Sequence, residues 1–143
     1  MNKQETTKLF DDLVQQIKAA SWFTAEFIIT RNGNYIHVAK KNWHDEKGNG
    51  VHFETYIEDN ESEIEEFPVF LHAEKDVPNR DAFVQNVVIA MGDHTNNFMC
   101  FVNEHTVVQR FVPFHKESFV ADAMKTLEEM QFLVPIVDNC LKK

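Results

Sequence analysis

The sequence predicts an antiparallel α+β fold: about six strands in three hairpins, with helices packed on one sheet face, in the order α-ββ-ββ-α-ββ-α. Three observations point there. An Asn-Gly turn lies between strand-like runs, two further pairs of runs have strand character, and apolar stripes recur every three or four residues before, between and after them. A length of 143 residues suits one domain spanning the whole chain.

Residues 9–20 place Leu9, Phe10, Leu13, Ile17 and Ala20 on one side, with Asp11, Asp12, Gln15 and Gln16 on the other, which predicts an amphipathic first helix. Residues 25–30 and 35–39 flank Arg31-Asn32-Gly33-Asn34. A turn centred on Asn32 and Gly33 would set Ile29 against Ile36 and Phe27 against Val38. Residues 51–58 and 67–74 form the second hairpin, joined by a connection holding six acids in nine residues and no base. Past Pro78 and Asn79, the spacing of Phe83, Val87 and Met91 predicts a helix closed by Gly92, although β-branched Val87-Val88-Ile89 also suits a strand. Residues 97–102 and 106–112 read as the third hairpin, around Asn103-Glu104-His105. Finally, Val120, Met124, Leu127, Met130, Val134, Val137 and Leu141 predict one long terminal helix, the longest of the chain, bent at Pro135.

Composition narrows the function classes. Hydrophobic residues at 43% and charged residues at 26% are enough for a packed core and argue against disorder. The formal charge of −9 repels nucleic acid and anionic lipid, so neither is an expected partner. No apolar run approaches the roughly 18 residues of a membrane span, and residues 1–16 lack the apolar segment of a secretory signal. Cys100 and Cys140 stand in apolar surroundings without Cys-x-x-Cys spacing, which favours buried thiols and a reducing, cytoplasmic setting. Phosphate-cradling glycine loops, Gly-x-Ser-x-Gly and His-Glu-x-x-His are all missing. Glu74-Lys75-Asp76 has acid and lysine adjacent, which sends them to opposite strand faces and excludes a restriction-type nuclease.

Strand parity then separates two faces. With Phe27, Ile29, Ile36, Val38, Val51, Phe53, Val69 and Leu71 inward, the outer face receives Tyr35, His37, His52, Glu54, Tyr56, Phe70, His72 and Glu74. His-x-Glu occurs twice on this face, at His52/Glu54 and His72/Glu74. If the second hairpin pairs His52 with His72, the two imidazoles lie about 4.5 to 5.5 Å apart at Cβ. Two histidines and a carboxylate are a combination used by zinc and non-haem iron sites. Cross-strand hydrogen bonds on an exposed sheet face explain the same residues without any ion. Trp43 stands in a polar loop with His44, Asp45 and Glu46, where it either folds back or reaches a partner. His94, His105 and His115 are read as surface residues.

The expected function is therefore a non-enzymatic protein-interaction module, adaptor-like or chaperone-like, acting through the outer face as a homodimer or with another protein. Its binding residues would be Tyr35, His37, Trp43, Tyr56 and Phe70, with no cofactor. One alternative is a metal-dependent or acid/base enzyme using one divalent ion on His52, Glu54, His72 and Glu74. Another is a small-ligand domain with its pocket between the outer face and the Trp43 loop. In size, acidity and helix-strand order the chain resembles type III secretion chaperones and related adaptor-like domains, a resemblance that implies binding to a partner protein.

Overall fold

A capping box starts the first helix well before its apolar stripe begins. In a computed structural model, which describes residues 1–43, 50–58, 63–102 and 105–142, helix α1 spans Lys3–Ala19 rather than starting at Leu9. The Asn2 side chain accepts from the Glu5 backbone N–H at 2.8 Å, and the Glu5 carboxylate accepts from the Asn2 N–H at 3.2 Å. Phe10, Leu13 and Ile17 are buried along its stripe, as their spacing requires.

Strands β1 (Phe27–Asn32) and β2 (Tyr35–Lys40) form the first hairpin. Asn32 pairs with Tyr35, so Gly33 and Asn34 make the turn, and Gly33 adopts a φ of +62° that suits glycine. Ile29 consequently faces Val38 and Phe27 faces Lys40, two residues away from the expected pairing. A two-residue shift preserves parity, so every side chain keeps its expected face.

Strands β3 (Val51–Tyr56) and β4 (Glu66–Ala73) pair with His52 directly opposite His72. Helix α2 (Arg80–Met91) takes up the β-branched run and ends at Gly92, where φ is +56°. The third hairpin is lopsided: β5 is only Met99–Cys100, whereas β6 runs Thr106–Pro113. All strand pairs are antiparallel, in the order β1-β2-β3-β4-β6-β5, which leaves the short β5 at the edge. The register between β4 and β6 shifts at Leu71/His72, an irregularity that changes the course of β6 beside His72.

The predicted long terminal helix is two helices, α3 (Phe119–Glu129) and α4 (Leu133–Leu141), making α1 the longest. The chain breaks at residues 130–132, not at Pro135. That proline is the third residue of α4, where a backbone N–H would have no helical acceptor. The row turned to the core is Phe119, Ala123, Leu127, Met130, Leu133, Val137 and Cys140, while Val120, Met124, Val134 and Leu141 are half-buried beside it. No disulfide joins the cysteines: Cys100 is half-buried on β5 and Cys140 buried on α4.

The helices cover one sheet face, α1 beside α3 and α2 beside α4, over the row containing Val38, Phe53, Leu71 and Val108. Phe119 joins the layers, its ring centroid 5.4 Å from Phe10 and 4.7 Å from Phe67. Trp43 also lies on this side. It is buried against Phe27 and Phe53, and its indole N–H donates to Asp138 of α4 at 2.7 Å. Among the described residues, no helix is long and apolar enough to cross a membrane.

Candidate functional site

The sheet face opposite the helices is built in levels across the strands. At one end Tyr35 of β2 pairs with Tyr56 of β3, and Pro68 of β4 pairs with Phe111 of β6. The next level holds His37, Glu54, Phe70 and Gln109, and the one beyond it His52 and His72. Strand periodicity thus gathers the expected residues on one face, with Trp43 the exception. Because Trp43 is buried on the helix side, it walls no pocket here. His44, Asp45 and Glu46 lie outside the described residues.

Four imidazoles run across the middle of the face. His37 stacks on His52 at 4.2 Å between centroids with planes 8° apart, and His52 stacks on His72 at 5.3 Å and 10°. His105, just before β6, meets His72 edge-on at 5.6 Å and 82°. This mutual packing leaves His52 only 2% exposed although no helix covers it. Phe70 is likewise 5% exposed, held between Tyr56 and His72, so it is buried where sequence reasoning expected a contact residue.

The two His-x-Glu pairs do not form one four-residue centre. Glu54 Oε1 lies 2.7 Å from His37 Nε2 and 3.3 Å from His52 Nε2. Glu74 Oε1 lies 3.3 Å from His72 Nε2, and His105 completes that second group. A metal binds along the lone pair, in the plane of each imidazole. Parallel rings at stacking distance have no such point in common, so His52 and His72 do not converge on one ion in this arrangement. The same holds for His37 and His52, whose shared partner is a carboxylate.

Burial by itself would raise the Glu54 pKa, but hydrogen bonds from His37 and His52 and their charges outweigh it and hold the group at about 2. A folded pKa below the unfolded value contributes stability that is present above about pH 4.5 and lost as pH falls toward 2. The contribution is on the order of 3 kcal/mol at most. Glu54→Gln should therefore lower the urea midpoint at pH 6, with the two proteins converging as the pH falls from about 4.5 toward 2. A constant difference at every pH would reject this account. Burial also lowers the pKa of His72, assisted by His52 and His105 and opposed by Glu74 and Glu54, which favours the neutral imidazole.

Two residues escaped the sequence reading. His105 was set aside as a turn residue, since nothing local says that the irregular β4–β6 pairing brings it to His72. Phe111 is 42% exposed beside Pro68, and the parity argument carried on into β6 would have found it. Tyr35 is 39% exposed and stacks on Tyr56 at 4.7 Å and 17°.

The fold and face together define an antiparallel α+β protein with a histidine-glutamate row and an aromatic end row on its helix-free sheet face. No protein-family model, curated protein or solved structure matches the chain, so its functional reading rests on the residues of this face.

Proposed function

We propose that the chain is a protein-interaction module whose outer sheet face docks a cationic segment of a partner protein. The observation that carries this reading is the end row of three aromatic rings and a proline, Tyr35, Tyr56, Pro68 and Phe111, which continues into a groove of about 490 Å³ walled by Glu58, Glu63 and Glu66. Aromatic faces and carboxylates together suit lysine and arginine side chains, whose stems pack on rings while their charges meet the acids. Large rings on a sheet are already ordered by their neighbours, so docking costs them little further entropy. A second copy of the chain, the homodimer expected from the sequence, is the competing occupant. It would bring an equally acidic molecule, with the same glutamates, to the interface.

The test is fluorescence anisotropy with a labelled peptide alternating lysine or arginine with leucine. The parent should bind it at low salt, and affinity should fall as salt screens the charges. Phe111→Ala and Tyr56→Ala should each weaken binding about tenfold, as expected for central aromatic anchors. Equal binding by the parent and both variants would remove this face from the interaction. A parent that binds no peptide but sediments as a dimer dissociated by Phe111→Ala would overturn the cationic partner in favour of a second copy.

A further inference from the structure

The geometry points to a divalent metal site of the zinc class formed by His72, Glu74 and His105, independent of the proposed docking row. The ligand atoms of these three residues all lie within 4.8 Å of one another. A tetrahedral zinc site with bonds of about 2.0 to 2.1 Å needs its ligand atoms about 3.4 Å apart, so modest side-chain rotation closes the shell. His72 Nε2 and Glu74 Oε1 already stand at 3.3 Å.

Ring orientation distinguishes this trio from its neighbour. The His72 and His105 planes meet at 82°, so in-plane lone pairs from the two rings can converge on one point. His37 and His52, 8° apart and stacked at 4.2 Å, offer no such point, although with Glu54 their ligand atoms also lie within 4.8 Å of one another. The two His72 nitrogens differ: Nδ1 is buried and makes no hydrogen bond among the described residues, while Nε2 faces Glu74. The Glu74 side chain is about a third exposed and that of His72 about a fifth, which gives an ion a route from solvent.

Two nitrogens and one oxygen suit zinc, cobalt or iron over calcium and magnesium, which prefer all-oxygen shells. Three protein ligands leave a fourth position for water or a ligand donor. Pro68 of the aromatic row is four residues from His72 along β4, about 13 Å at strand rise, so loss of one site need not impair the other.

The experiment is cobalt(II) titration of the full chain, followed by its visible absorption, with zinc competition by calorimetry. One ion per chain is expected, with the intense bands of a tetrahedral centre. His105→Ala and Glu74→Gln should each weaken binding more than tenfold, and His37→Ala should leave it unchanged. His105 and Glu74 are both partly exposed, so these substitutions spare the buried core, and unchanged circular dichroism would check that both variants remain folded. No stoichiometric uptake by the parent would overturn the site. Uptake lost in His37→Ala but retained in His105→Ala would overturn it too, by placing the ion on the other trio. Neither result bears on peptide binding at Tyr56 and Phe111, so the two proposals fail separately.

Discussion

A chain ended at Ser118 is expected to show no cooperative melting transition. Helices α3 and α4 and the break between them contribute Phe119, Leu127, Met130, Leu133 and Val137, all fully buried or nearly so, against the sheet and the other two helices. At roughly 1.5 to 3 kcal/mol for each large apolar side chain, their combined burial is on the order of 10 kcal/mol. Whole domains are commonly stable by only about 5 to 15 kcal/mol. The exposed sheet row and the orphaned faces of α1 and α2 would add a tendency to aggregate. Differential scanning calorimetry with near-ultraviolet circular dichroism is the measurement. A soluble fragment that melts cooperatively with native aromatic signals would mean that the terminal helices are an accessory to the core.

Asp138→Ala should be the most damaging single polar substitution, costing about 2 to 4 kcal/mol. One carboxylate oxygen accepts from Lys40 Nζ at 2.7 Å and the other from the Trp43 indole N–H at 2.7 Å, tying α4 to the end of β2. Alanine leaves a buried indole N–H and a largely covered ammonium without these acceptors. Asp138→Asn keeps an oxygen for the indole but loses the charge, so it should cost about half as much. The pH dependence follows from the pair. Burial would raise the Asp138 pKa, but hydrogen bonds from Lys40 and Trp43 hold it below the usual carboxylate value. Its contribution is therefore full above that usual value, near pH 4, and declines as the solution becomes more acidic. The hydrogen bond to Asp138 raises the Lys40 pKa against the cost of burial, so its contribution is lost only as pH rises beyond the ordinary lysine range. Urea unfolding of parent and variants from about pH 3 to about pH 11.5 would measure both effects, and an Asp138→Ala protein as stable as the parent at pH 7 would refute the role given to this tie.

Where the physics is local, these features can be read from residue order. Phe10, Leu13 and Ile17 fall on the buried side of α1 because a 3.6-residue turn brings them together, whereas the capping box of Asn2 and Glu5, equally local, lies ahead of the apolar stripe and is missed when the stripe alone sets the helix start at Leu9. Pro135 misled because the penalty for proline depends on its position in a helix, which the apolar stripe alone cannot supply. Trp43 misled because a tryptophan in a polar stretch has no local signature of the distant Asp138 that receives its N–H.

The sequence by itself determined the α+β class, the order of the elements and which residues share the outer sheet face. Each of these follows from periods of two or 3.6 residues that survive even a two-residue error of register. Only the tertiary structure decided that β6 rather than β5 lies beside β4, and that Glu54 serves His37 and His52 while Glu74 and His105 group with His72. Strand order depends on how the third hairpin docks after α2. Ring orientation depends on rotamers chosen by packing among residues far apart in the chain. Pairwise spacing along the sequence contains neither.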